Sequence, residues 1–333
     1  MLAGGARQDH RLQMHPVDQP APAFDVIGLG VSTVDVVMRV DHFADHEEVQ
    51  RASEVTVQGG GPVATALVAL ARLGARVAIL DAVGDDWRGD LIREEYRREG
   101  VHTDYLRVRN GYTSSVASVL VRGEDGARSI VYAPGNAPTL AADDVARQVI
   151  ASARFLHVNG RHWEGCLAAC RYARESGVQV SFDGGAHLYR PELRELAPMS
   201  DVCIVARDFA ERYTGAREVG RAARMLLDEG PSLVVVTEGT RGSWVYPRQG
   251  EAFHQPAYLL PSVVDTTGCG DSFHGAFLFG LVKGMPLERT AALASAVAAL
   301  NSQSLGGRGG LPSLEQVSEF LERQLRINSQ AKS

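Results

Sequence analysis

Apolar residues recur along this chain at two periods, and the switching between them sets the expected architecture. Residues 24–30 (FDVIGLG) form a short, nearly continuous apolar run closed by glycine, the pattern of a buried strand. Val34, Val36, Val37 and Val40 half-alternate in a valine-rich segment and predict a strand over 34–40, and 50–57 alternates similarly. Residues 62–73 instead place apolar side chains at helical spacing, with Pro62 in the first turn and Gly74 as the stop. A buried strand follows over 77–83, then a polar helix over 86–98 ended by Gly100. The β runs 115–121 and 128–132 predict a hairpin across 123–126. From there the periods alternate: strand 155–158, helix 164–175, strands 178–182 and 202–205, helix 220–227, strand 233–237. Helices over 271–283, 286–302 and 313–324 close the chain. The pattern predicts an α/β fold, a mostly parallel sheet with helices on both faces. The β-rich segments 34–57 and 115–132 stand outside that sheet. Neither a repeat nor a linker divides residues 23–325, so one domain is expected, with 1–22 as a disordered leader and 326–333 as a tail.

Charge and composition narrow the partners. A net charge of −6 over 333 residues argues against nucleic acid or an anionic membrane surface, and no apolar run approaches the ~18 residues of a membrane span. The leader lacks the apolar core of a signal peptide, so a cytoplasmic protein is expected. Four cysteines show neither a CxxC pair nor a disulfide framework; Cys166 and Cys170 share a helix face and are read as packing.

The chemistry concentrates in residues 264–276 (VDTTGCGDSFHGA). Gly268 and Gly270 flank Cys269 and lead into Asp271 where a small-residue helix begins. Free backbone N–H groups and the positive helix end then surround one carboxylate, a nest suited to a migrating phosphoryl group. Asp271 is placed to accept the proton of an attacking hydroxyl. Standing alone, Gly-x-Gly-Asp also fits a plain capped junction between loop and helix. A second glycine cluster, Gly59, Gly60 and Gly61, opens the helix at Pro62. The Gly28–Gly30 pair lacks the third glycine and the following helix of a dinucleotide fingerprint. Gly-x-x-x-x-Gly-Lys-Ser/Thr, His-Arg-Asp and Asp-Phe-Gly sets are likewise absent from the sequence.

Asp265-Thr266-Thr267-Gly268-Cys269-Gly270-Asp271 closely resembles the C-terminal signature of the PfkB (ribokinase-like) family of sugar and nucleoside kinases, and 59–74 resembles its N-terminal glycine motif. The resemblance can be followed from about residue 24 to 320. It implies a three-layer α/β/α fold with a mostly parallel central sheet and a small β-sheet lid, here the segments 34–57 and 115–132, often used for dimerisation. It implies ATP-dependent phosphorylation of a sugar hydroxyl, with Mg2+ accompanying ATP. Asp271 becomes the base and the amides of Gly268, Cys269 and Gly270 the anion hole. Asp35 matches the aspartate that grips sugar hydroxyls, with Gly59–Gly61 close to the sugar; a turn aspartate is the plainer alternative. Thr237, Gly239 and Gly242 resemble the loop lining the nucleotide, although a simple hairpin has the same spacing. Thr267 and His274 join that ATP side. Asp265, Thr267 and Gly306 resemble a monovalent-cation (K+) loop, and a glycine-rich turn fits equally.

Two departures matter. Ala64 stands where many members have asparagine, and Ala206 and Phe209 replace the Asn-x-x-Glu pair that orders magnesium, leaving Asp183 and Asp208 as carboxylate candidates. Both departures resemble the branch containing sulfofructose kinases. Yet that branch's lysine and asparagine fall on Val49 and Tyr132, and only Arg161 is matched. A valine in place of an ammonium removes a bond worth about 1.5–3 kcal/mol. The expected acceptor is therefore a neutral ketohexose or pentose phosphorylated on a primary hydroxyl. The alternatives are a nucleoside or sulfofructose kinase and, from another class, a non-catalytic sugar- or nucleotide-binding regulator. His42 and His46 have helical metal spacing but sit in an expected lid turn, where zinc is disfavoured.

Overall fold

The computed structural model describes residues 22–330; positions 1–21 of the expected leader and 331–333 of the expected tail lie outside the described residues. β1 (Phe24–Leu29) is buried throughout and starts the central sheet. The chain leaves it for β2 (Thr33–Val40) and β3 (Glu54–Gly60), then returns through α1 (Pro62–Arg72) to β4 (Val77–Gly84). Next come α2 (Trp87–Arg98), the short β5 (Val101–His102) and β6 (Leu106–Arg109), and the hairpin of β7 (Ser115–Arg122) and β8 (Arg128–Ala133). The second half runs α3 (Arg147–Ala151), β9 (Ala153–Val158), α4 (Trp163–Ser176), β10 (Gln179–Gly184), β11 (Val202–Ala206), α5 (Arg207–Thr214) and α6 (Val219–Glu229). β12 (Leu233–Thr237), β13 (Ser243–Pro247), β14 (Phe253–Gln255), α7 (Cys269–Val282), α8 (Leu287–Asn301) and α9 (Leu314–Gln330) complete it.

The central sheet has the order β14-β13-β12-β11-β10-β9-β1-β4-β5, with β6 also on β4. Its pairs are parallel except for the antiparallel edge of β13 and β14. Side chains of β1 alternate between two cores, which is why the strand reads as continuously apolar. Val26 joins α1, α7 and α8 through Leu67, Phe277 and Ala294. Ile27 and Leu29 join α4 to α6 through Cys166, Cys170, Phe209 and Leu226. Helices cover both faces, and the fold is three layers. A separate four-stranded sheet, β3-β2-β7-β8, is the lid. Its inner face buries Val37, Ala117, Val119 and Val121 against Leu305.

The sequence pattern misplaced some elements. β3 spans Glu54–Gly60, not 50–57: Gly59 and Gly60 lie inside the strand, held by pairing with Val34 and Thr33. β5 and β6 are too short and polar to show a period, and α5 buries only Phe209, Ala210 and Tyr213 in eight residues. α3, β13 and β14 also escaped the pattern, the two strands being short pieces, β13 paired to β12 and β14 to β13. Parallel strands end on one side of a sheet, and the turns after β1, β9, β10, β11 and β12 open there together.

Candidate active site

A cleft of about 970 Å³ lies at those strand ends, beneath the lid. It is lined by Asp35, Gly61, Arg161, Thr237, Gly239, Gly242, Thr267, Gly268, Cys269, Gly270, Asp271 and His274, so most residues singled out in the sequence meet in one place. Gly59, Gly60, Asp265 and Gly306 do not line it. They act from behind the wall.

Gly268 is the N-cap of α7 with φ 70°, and a Cβ there would lie 2.3 Å from the Gly307 carbonyl oxygen. Only glycine makes that turn. Gly270 differs: a Cβ added to it meets nothing within 4 Å, because the space above it is the cleft. The Cys269 N–H points to the Thr266 carbonyl at 3.4 Å, which draws it partly away from the hole and leaves the neighbouring first-turn donors open. Buried Asp265 braces the turn. Its Oδ1 accepts from the Thr267 N–H at 2.7 Å and its Oδ2 from the Gly306 N–H at 2.8 Å. Thr266 ties the turn to the lid, its N–H and Oγ1 both directed to the Gly126 carbonyl, while Arg128 donates to Thr266 Oγ1 at 3.0 Å.

Asp271 sits in the first turn of α7, partly exposed to the cleft. Burial, then the neighbouring Asp183, raises its carboxyl to about 7. A carboxyl poised there suits proton acceptance near neutral pH. Across the cleft, Asp35 lies on the lid strand β2, and burial raises its carboxyl against a 2.5 Å bond from Thr33 Oγ1. Gly60 makes room for it, since a Cβ there would stand 2.1 Å from Asp35 Oδ2.

Of Gly59–Gly61, expected to lie close to a sugar, only Gly61 lines the cleft. Gly59 donates its N–H to Glu95, and the Gly60 carbonyl accepts from Arg308 at 2.9 Å. Arg308 is buried, paired with Glu95 at 3.0 Å and bonded to Thr65 Oγ1 at 3.1 Å, so it locks the lid strand onto α1 and α2. Sequence reasoning missed this pair; the one signal was an arginine inside the glycine run 306–310. It also missed the pin that sets Arg161. His162 has φ 51°, its Nδ1 accepts from the Leu140 N–H, and its Nε2 lies 2.7 Å from Asp81, fixing the turn after β9. The Arg161 guanidinium then lies 6.0 Å from the Tyr132 ring centroid, with no ion pair among the described residues.

On the opposite side, residues 238–242 form the hairpin turn between β12 and β13 and also a wall of the cleft. His274 is buried one turn beyond Asp271, with Nε2 3.4 Å from Asp183 Oδ1, and burial lowers its imidazole to about 3. It faces Asp183 more than the open cleft. Phe209, in the place of the missing glutamate, is a core residue against Phe182 and Tyr189. Its helix still brings Asp208 and Glu211 to the cleft wall. Oxygen donors of that kind fit magnesium arriving with a nucleotide. Glu211 is paired with Arg207, and Asp208 Oδ2 accepts from the His187 N–H at 2.8 Å. Val49 is fully exposed and lines no part of the cleft. His42 and His46 are exposed beside Glu48. Among the described residues no helix is long and apolar enough to cross a membrane.

Comparison with known proteins agrees with this geometry. Residues 24–314 match the model of the pfkB family carbohydrate kinases. The 5-dehydro-2-deoxygluconokinase of Shouchella clausii is 27% identical over 325 residues, covering 92% of this chain and 98% of that one. The enzyme of that name from Bacillus subtilis is 27% identical, covering 91% and 97%. Among solved structures, adenosine kinase from Sinorhizobium meliloti superimposes with a TM-score of 0.79 at 26% identity, covering 90% of this chain and 99% of that one. Ribokinase from Thermotoga maritima gives 0.74 at 26%, covering 90% and 99%. The chain belongs to the pfkB family of carbohydrate kinases.

Proposed function

We propose that this sugar kinase transfers the γ-phosphoryl group of ATP to a primary hydroxyl of a small sugar, with Asp271 as the base. The observation that carries the reading is one cleft in which Asp271, its carboxyl near 7, stands beside an open helix N-terminus and opposite Asp35. Asp35 accepts from sugar hydroxyls and orients the acceptor under the lid. Asp271 takes the proton as the hydroxyl attacks in line, and the amides of Gly268 and Gly270 stabilise the transferring group with some help from Cys269. Thr237, Gly239, Gly242 and Thr267 line the nucleotide side. Asp208 would hold the magnesium that accompanies ATP, directly or through water. That ion neutralises phosphate charge. Asp265, Thr267 and Gly306 support activation by K+, which a comparison of rates in potassium and choline salts tests.

A second reading of the acceptor rests on Arg161, a cation at the cleft wall without an ion pair among the described residues. A guanidinium so placed suits a carboxylate, and the similar proteins from Shouchella clausii and Bacillus subtilis are named 5-dehydro-2-deoxygluconokinases. The neutral-sugar preference expected from Val49 and Tyr132 thus has a rival in an acidic sugar. Measuring ADP release with MgATP over fructose, ribose, a sugar-acid panel, sulfofructose and adenosine tests both. Turnover with some sugar is expected. Adenosine at least tenfold ahead would favour a nucleoside kinase, and no turnover with any acceptor a non-catalytic regulator. The outer face of the lid exposes Val55, Val57 and Val131, which supports a homodimer through that sheet in a cytoplasmic enzyme.

A further inference from the structure

Three donors from separate elements converge on the sheet face below α7. His157 on β9 and Ser181 on β10 are register partners, and Asp183 lies two residues along β10 on the same face. His274 comes down from α7 onto them. One donor atom from each of His157, Asp183 and His274 lies within 4.8 Å of the other two. All three residues are buried. His157 Nε2, Asp183 Oδ1 and His274 Nδ1 have no hydrogen-bond partner. Three unsatisfied polar atoms in one buried spot call for an occupant, because each costs stability when left unpaired. His157 is also oriented, with Nδ1 3.2 Å from Ser181 Oγ, the arrangement that turns the other ring nitrogen towards a ligand.

The geometry points to a binding site for one divalent first-row transition-metal ion, of the Zn2+ or Co2+ kind, held by His157, Asp183 and His274. Two imidazoles and one carboxylate with a further position open are a donor set for such ions, whereas Mg2+ seeks oxygen ligands and keeps its waters. The 3.4 Å between His274 Nε2 and Asp183 Oδ1 matches adjacent ligands on one ion, and one donor atom of each of the three residues lies within 4.8 Å of the others. The ion pins α7, whose first turn carries Asp271, to the ends of β9 and β10. This site does not depend on the identity of the sugar.

The test is a titration of the chelator-treated full chain with Co2+ in excess Mg2+, followed by visible absorption. One equivalent per chain is expected, displaced by Zn2+, with a rise in Tm of about 4 °C or more at a hundredfold excess over Kd. His157→Gln and His274→Gln should each weaken binding at least tenfold. His42→Ala/His46→Ala, an exposed-loop variant that leaves the core untouched, should bind as tightly as the unaltered chain. Less than a tenth of an equivalent bound, or binding lost with His42 and His46, would overturn the proposal. So would an unchanged affinity in either His157→Gln or His274→Gln.

Discussion

Gly270→Ala separates the fold of the anion hole from its chemistry. The added Cβ meets no protein atom within 4 Å and Gly270 does not have a positive φ, so the backbone accepts alanine without strain. Alanine also restricts the unfolded chain and suits a helix first turn, which together should raise stability by about 0.4–1 kcal/mol. For a domain this size that is a Tm increase of about 1–4 °C. The open space that admits the methyl is the space assigned to the transferring phosphoryl group. A displacement of about 1 Å from in-line geometry costs about 10²-fold, so kcat should fall by about two orders of magnitude. Gly268→Ala is the contrast, because its Cβ meets the Gly307 carbonyl at 2.3 Å with φ 70°, and it should lose stability as well as activity. Thermal melts and steady-state ADP release on both variants provide the comparison. If Gly270→Ala kept at least half the original kcat at an equal or higher Tm, phosphoryl transfer would not occur above that glycine.

Asp35→Ala should raise the acceptor KM more than tenfold, as expected for loss of a charge-assisted bond of about 1.5–3 kcal/mol, while the ATP KM stays within a few-fold; equal damage to both would reverse the assigned halves of the cleft. Because Asp271 must be ionised to act and its carboxyl titrates near 7, kcat/KM should fall about tenfold per pH unit below 7 and level off above, and a profile flat down to pH 5 would contradict the base assignment. The same raised value means that the folded chain holds this proton to higher pH than the unfolded one, so its contribution to stability is lost as pH rises from about 4 to 7, which melts across that range will read. Arg308→Met should destabilise by about 3–5 kcal/mol, because Glu95 would remain buried without its partner, and a melt within a degree of the original would remove the pair from the account of lid anchoring.

How much could be read in advance depended on how local each signal was. The buried strands, α1 and α7 carry their period in consecutive residues, and the Asp265–Asp271 turn and its following helix are a local statement about backbone amides. Those were legible. β3 was shifted because Gly59 and Gly60 argue locally for a loop, while pairing with β2 keeps them in a strand. β13 pairs with β12 across the turn 238–242, the hairpin alternative for that glycine pair, and β14 pairs in turn with β13; both strands are too short for a period of their own to show. The Arg308–Glu95 pair joins residues 213 apart, and His157, Asp183 and His274 meet only after three elements have packed. Phe209 shows the reverse case: its departure from the magnesium motif was visible, but its burial in the α5 core was not.

The most direct test of the central claim is ATP-dependent phosphorylation of the best acceptor by Asp271→Asn, with binding of sugar and MgATP measured separately by calorimetry. Asparagine keeps the shape of the side chain and cannot take the proton. The account predicts a fall in kcat of about 10²–10⁴ with both affinities within a few-fold of the original. A variant that retained a tenth or more of the original kcat would remove Asp271 from the mechanism.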